Sequence, residues 1–172
     1  MKSCPDPEIR RISDESGGLL PVTGPAPRVL ILGSFPSRKS LMHREYYGNP
    51  QNHFWKIMDT LFAIDTGLPY PARLDRIREL DLALWDVVRS CSRPGSADAQ
   101  IRGPVFNDIA EFAALHPTLQ LIVLNGTTAA RYYPQAAGNC RVPTVILPST
   151  SPANTRYTLV EKTKQWSVIK EE

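Results

Sequence analysis

Asn52 is the residue best suited to do chemistry in this chain, within the stretch Asn49-Pro50-Gln51-Asn52-His53-Phe54-Trp55. A carboxamide does not titrate near neutrality, so it is no strong base, but it can accept a hydrogen bond from a water and aim that water's lone pair. Satisfying free amides at a helix start is the competing role, and spacing alone leaves the two level. Gly33-Ser34-Phe35-Pro36-Ser37 follows an apolar run, where glycine permits a sharp turn and proline stiffens a loop that offers backbone amides to a ligand; taken alone it reads as structural more often than not. Asp86 ends a second apolar run, with Arg89 and Arg93 beyond it, and a salt bridge is as good a reading as ligand recognition. Tyr46 and Tyr47 are adjacent aromatics in a Gly/Pro-rich loop, harder to bury together than aromatics in a helix, so one of them leans toward a stacking surface. Ser149, Thr150 and Ser151 bring three hydroxyls after a fourth apolar run, with Asn154 close behind; helix capping accounts for one hydroxyl, and phosphate contact suits the rest. Arg38, Lys39, His43 and Arg44 flank the first loop and Arg156 the last, a clustering that favours a polyanionic partner.

These residues need a frame that brings them to one edge. Four continuously apolar runs, Val29 to Leu32, Leu82 to Trp85, Leu119 to Leu124 and Val142 to Leu147, predict buried parallel strands covered on both faces. Between them, Phe54, Ile57, Met58, Leu61 and Phe62 trace one face of a helix, with Asn49 as its expected N-cap, Pro50 at its first position and Asn52 in its first turn. Leu74, Ile77 and Leu80 predict a shorter helix, Phe106, Ile109, Ala110 and Ala113 another, and Gly126 opens a further one; Ser151 is expected to cap a last helix begun by Pro152. The expected fold class is α/β: a three-layer α/β/α sandwich around a central four-stranded, mainly parallel sheet. Residues 1–18 are expected to be a flexible tail and 19–172 a single domain, with prolines interrupting any periodicity as far as about residue 27.

Bulk properties narrow the classes. With 172 residues, 42% hydrophobic and 22% charged, the chain reads as one globular domain with a substantial core. No apolar run is long enough to span a bilayer and the start lacks a signal peptide's apolar stretch, so no membrane partner and a cytoplasmic location are expected. The net charge of +3 permits a basic face without demanding one. Cys4, Cys91 and Cys140 are widely spaced, and His43, His53 and His116 show no ligand-like spacing, so free thiols and no metal are expected. Phosphate-loop, nucleophile-elbow and dinucleotide fingerprints are all missing from the sequence.

Together, Leu30 to Ser37, Tyr46 to Trp55, Ala83 to Val87, Gly95-Ser96-Ala97-Asp98, Asn125-Gly126 and Leu147 to Asn154 resemble the uracil-DNA glycosylase superfamily, most closely its hypoxanthine (deoxyinosine) DNA glycosylase branch. The resemblance runs across most of the chain after the tail, and implies that 19–172 is one glycosylase-like domain. Two departures stand out. Phe35 occupies the first-loop position where mismatch-specific enzymes carry asparagine, and Leu147 the place where classical uracil enzymes hold His or Asn before Pro-Ser. Both weigh against strong activity on uracil.

The resemblance implies a monofunctional DNA glycosylase of base-excision repair that flips a deaminated base out of the stack and hydrolyses its N-glycosidic bond. Hypoxanthine is the leading substrate, with uracil behind it. Asn52 would hold the attacking water, Tyr47 would stack on the base, and Gly33, Ser34, Phe35, Pro36 and Asp86 would form the base pocket. Arg38, Lys39, His43, Ser149, Thr150, Ser151, Asn154 and Arg156 would contact DNA. No metal or organic cofactor, no strand cleavage and action as a monomer are implied. The alternatives are a non-catalytic binder of damaged or mismatched DNA on the same fold, supported by Phe35 in place of the first-loop asparagine, and a nucleoside hydrolase, which the basic loops disfavour.

Overall fold

The computed structural model describes residues 15–171, and most of the expected tail, with Cys4, lies outside that range. Four strands form the parallel sheet: β2 (Val29–Gly33), β3 (Leu82–Asp86), β6 (Leu121–Asn125) and β7 (Thr144–Leu147), in the order β3-β2-β6-β7. The strand before them, β1 (Glu15–Gly17), belongs to a second sheet described below. The chain leaves central β2 for β3 on one side and later returns to β6 on the other. That reversal opens a crevice at the carboxyl ends of the strands, where ligands bind in open α/β sheets.

Successive side chains of a strand point to opposite faces, and the apolar runs serve both. Val29, Ile31, Leu82, Leu84 and Val123 meet Phe54, Ile57, Met58 and Trp166 on one face. Leu30, Leu32, Ala83, Ile122 and Leu124 meet Ile109, Phe112 and Ala129 on the other. The covering helices on the first face include α2 (Phe54–Phe62), α3 (Tyr70–Glu79) and, near the end of the chain, Leu159–Trp166; α1 (Arg38–His43) precedes them. The second face carries α4 (Ile109–Leu115) and α5 (Thr127–Ala137), which makes Leu159–Trp166 α6. The three-layer sandwich and its four parallel strands are as the sequence predicts. Val22 also exchanges two 2.8 Å backbone hydrogen bonds with Leu84, covering the open edge of β3.

Several local expectations are corrected. Strands β6 and β7 each start two residues later than the apolar runs suggest. Helix α2 begins at Phe54 with His53 at its N-cap, not at Asn49 and Pro50, so Asn52 lies before the helix and not in its first turn. Asn49 instead closes a tight turn, its carbonyl accepting from the Asn52 amide at 2.9 Å. Phe106 ends a strand instead of opening a helix, and Asp108 caps α4. Helix α6 is capped not by Ser151 but by Thr158, whose capping box with Glu161 satisfies two otherwise free donors. The basic stretch at 38–43 is itself a helix, capped by Ser37.

A second sheet goes unsignalled by the sequence: β1, β4 (Val88–Ser92) and β5 (Arg102–Phe106), antiparallel, in the order β1-β4-β5. Its strands are short and polar, the β4–β5 register is irregular, and β5 contains Gly103 and Pro104. No alternation survives to be read. A small core of Phe35, Val88, Cys91 and Ile101 lies beneath it, directly under the first loop.

Candidate functional site

The carboxyl ends of the four parallel strands deliver Gly33, Asp86, Asn125 and Leu147 to one edge, and a cleft of about 720 Å³ opens there. It is bordered by the first loop (33–37), Tyr46, Tyr47, Asn49, Asn52, the turn at 96–99, the start of α5 and the loop at 148–157.

Asn125 joins the walls. Its side chain is buried, accepts from the Thr150 amide at 3.0 Å, and donates to the Thr150 hydroxyl at 3.0 Å and the Tyr47 hydroxyl at 3.3 Å. The His53 amide donates to the Thr150 carbonyl at 2.9 Å, so the motif around Asn52 is tied directly to the last loop. Thr150 is wholly buried and committed to this network, which excludes the surface phosphate contact expected of its hydroxyl. Gly126 makes the approach possible: at φ +96° it adopts a conformation few side chains tolerate, and a Cβ there would lie 2.8 Å from Ser149 Cβ. Gly126→Ala is expected to destabilise the fold by roughly 1–3 kcal/mol, measured as a lower urea midpoint with an unchanged slope.

Asn52 is half-buried on the rim, with Oδ1 accepting from the Phe54 amide at 2.9 Å, and its side-chain nitrogen has no hydrogen-bond partner among the described residues. Tyr47 has positive φ (55°), a strained setting for an aromatic residue, and its ring stacks on Phe54 with centroids 3.9 Å apart. Burial, then the charge of Asp86, pushes its hydroxyl far above the usual phenol range, so it stays neutral. Tyr46 goes the other way: it is 4% exposed, packed in the core and bonded through its hydroxyl to the Leu20 carbonyl.

Asp86 sits at the floor, 5% exposed, opposite Gly33 in the β2–β3 register. A Cβ on Gly33 would lie 2.5 Å from Asp86 Oδ1, so only glycine lets the carboxyl lie against the first loop. Oδ2 is buried without a hydrogen-bond partner among the described residues. Burial foremost, and the Asp98 carboxylate next, push its pKa up to about 7 against the opposing pull of Arg93.

The second sheet props this loop. The Arg93 side chain is 2% exposed, with its guanidinium 4.9 Å from the Phe35 ring centroid; it donates to the Pro36 and Ser96 carbonyls and stands 4.0 Å from Asp98. Asp98 in turn accepts from the Ser34 hydroxyl at 2.8 Å. On the far wall, Lys162 has no exposed surface and spans the last loop, donating to the carbonyls of Ser151 (3.4 Å) and Asn154 (3.0 Å).

The cleft thus gathers Gly33, Ser34, Phe35, Pro36, Tyr47, Asn52, Asp86, Ser149, Thr150, Ser151, Asn154 and Arg156. Phe35 borders it, while its ring packs beneath the second sheet. Arg38, Lys39 and His43 are exposed on α1 and do not line the cleft. Sequence reasoning missed Asn125, Asp98, Arg93 and Lys162 as site-building residues. Asn125 carries a legible signal, a polar residue ending a buried strand like Asp86; Lys162 carries none. Among the described residues, no group of three or more His, Cys, Asp or Glu is arranged to hold a metal, and no helix is long and apolar enough to cross a membrane.

Comparison with known proteins follows the same lines. The model of the family described as the uracil DNA glycosylase superfamily matches residues 20–170. A protein from Methanosarcina acetivorans, named hypoxanthine DNA glycosylase, is 34% identical over 142 residues, covering 82% of this chain and 89% of its own. Its namesake from Methanosarcina barkeri is 32% identical over 153 residues, covering 87% and 94%. The solution NMR structure of a Methanosarcina acetivorans protein, described as a candidate uracil DNA glycosylase, superposes with a TM-score of 0.76 at 32% identity, covering 91% of this chain and 99% of that one.

Proposed function

The chain belongs to the uracil DNA glycosylase superfamily, and on that premise we propose that it excises hypoxanthine from deoxyinosine in DNA by hydrolysing the N-glycosidic bond. The observation that carries this reading is the floor of the cleft. A buried carboxyl whose Oδ2 has no hydrogen-bond partner among the described residues lies between the amides of the first loop and a fixed aromatic ring, an arrangement that suits a flat, polar-edged base.

The flipped base enters between the first loop and the Tyr47–Phe54 stack. Stacking supplies affinity with little regard to base identity, and polar groups on the floor supply the discrimination. Asp86 and the amides of Gly33 to Ser37 read the base edge. Asn52, held by the Phe54 amide, keeps its NH₂ and its second oxygen lone pair for a water beneath the anomeric carbon. That water attacks as the sugar becomes oxocarbenium-like. Arg156, Asn154, Ser149 and Ser151 on the last loop steady flanking phosphates, and Arg38, Lys39 and His43 on α1 extend the basic surface along the backbone. Leu147 is 6% exposed and packs in the core, leaving the end of β7 without a polar group for a departing pyrimidine, which favours hypoxanthine over uracil.

The test is single-turnover base release from matched duplexes carrying deoxyinosine or deoxyuridine. Faster release of hypoxanthine, by at least about tenfold, is the expected result. Preference for uracil would overturn the substrate assignment, and tight salt-sensitive binding without release of either base would make the protein a damage binder.

A further inference from the structure

We propose that Asp86 is the general acid of the reaction, donating a proton from Oδ2 to N7 of the flipped purine as the C1′–N9 bond breaks. This rests on reading the cleft as a hypoxanthine-excision site and goes beyond it, because recognising a base edge and protonating it are separable tasks.

The chemistry of the leaving group creates the need. A purine expelled as its N9 anion is a poor leaving group, whereas one protonated at N7 departs as a neutral ring. Uracil differs, since its N1 anion is delocalised onto O2 and, through the C5–C6 double bond, onto O4. A pocket built for a purine lactam therefore gains from a proton donor on the N7/O6 edge, and a pocket built for uracil does not.

Asp86 fits that need. The serines, threonines and asparagines along the walls hold no transferable proton near neutrality. Tyr46 and Tyr47 are pushed far above the range in which a phenol gives one up. Asp86 is 5% exposed, its Oδ1 side is pressed against Gly33, and its Oδ2 has no hydrogen-bond partner among the described residues. A buried polar atom left without a partner carries a desolvation cost of the kind that a ligand removes. The charges around it keep the proton on. Asp98, fixed by Ser34, adds negative charge, while Arg93 is spent on the Pro36 and Ser96 carbonyls and on Asp98. Tyr46 and Tyr47 face Asp86 as neutral groups. Two carboxyls in one cleft, one masked by a hydroxyl and a guanidinium and the other buried in the floor, are thereby set to different tasks.

The step balances. The proton moves from Asp86 Oδ2 to N7, and the C1′–N9 electron pair stays with the base. The water held by Asn52 bonds to C1′ and gives its proton to solvent, and the Asp86 carboxylate takes one back from solvent. No other reactant is needed.

The experiment is single-turnover release from duplexes containing deoxyinosine, 7-deaza-deoxyinosine or deoxyuridine, at pH 6 to 9, with the wild type, Asp86→Asn and Asp98→Asn. The 7-deaza ring keeps its O6 and N1 edge but has no N7 to protonate. Asp86→Asn is expected to slow release from deoxyinosine by on the order of 10²–10⁴, yet to slow the already sluggish 7-deaza substrate by less than about threefold. The wild-type rate on deoxyinosine should fall roughly tenfold per pH unit above about 7; Asp98→Asn should move that limb to lower pH, and Asp86→Asn should abolish it. Equal losses on the two purine substrates, or a wild-type rate independent of pH, would overturn the general-acid role while leaving hypoxanthine excision standing. No release of hypoxanthine by the wild type would overturn excision itself, and the proposal with it.

Discussion

Asn52→Ala is expected to lower single-turnover base release by on the order of 10²–10³ while leaving the dissociation constant for DNA within about threefold of the wild type. The asymmetry follows from position. Asn52 is half-buried on the rim of the cleft and carries no charge, whereas the exposed cations of α1 dominate non-specific attraction to phosphate. Among the described residues its side chain bonds only to the Phe54 amide, so truncation also loosens the start of α2 by about 1 kcal/mol. Asn52→Ser separates the two effects, since a hydroxyl restores the cap but is too short to hold the same water. Release that stays slow in the serine variant, with thermal stability recovered, would assign the loss to water positioning. Release restored along with stability would reduce Asn52 to a helix cap.

Asp86→Asn should make the protein more stable above neutral pH, and less distinguishable from the wild type as the pH falls. The sign comes from linkage. Burial and Asp98 raise the carboxyl to about 7 in the folded chain, from an ordinary value near 3.9 when unfolded. Between those values the folded state binds more protons than the unfolded one. The contribution of Asp86 to stability is therefore greatest at the acid end, is lost progressively as pH rises from about 4 to 7, and changes no further above that. The full span corresponds to roughly 4 kcal/mol, which an uncharged asparagine does not forfeit. An asparagine amide in the same dry floor costs something of its own, but that cost is independent of pH. The gap in Tm between variant and wild type should widen, in favour of the variant, by roughly 5–10 °C between pH 5 and pH 8. A gap constant with pH would mean that Asp86 is ionised in the fold. The wild type holds a destabilising acid at its floor, as is common where activity and stability compete.

The parallel sheet was legible because buried strands write themselves as continuous apolar runs, and the polar or glycine residue that ends each one marks the edge where a site forms. Gly33 and Asp86 were found that way, and Asn125 should have been. The start of α2 was misplaced because Asn49-Pro50 has the residues of a cap and first turn, but the chain spends them on a separate tight turn before His53. The second sheet was invisible for the opposite reason: β4 and β5 alternate too briefly, and Gly103 and Pro104 are residues one expects in loops. With that sheet unseen, Arg93 reads as a salt-bridge or ligand residue following Asp86, and nothing marks the burial of its side chain beneath the first loop. Lys162 was illegible in principle. A lysine in an amphipathic helix is normally solvated, and only the path of the last loop, whose carbonyls it binds, explains its burial.

The bond from the His53 amide to the Thr150 carbonyl joins residues 97 positions apart, and Asn125 ties both segments to the third parallel strand. Contacts so distant in the chain form late, since the loops they close must be ordered first. An intermediate holding only β2 and β3 would already own Asn52 and Asp86, yet it would have no far wall to grip a base. The cleft is therefore a product of completed folding, and the site stays unformed until the loop at 148–157 has docked.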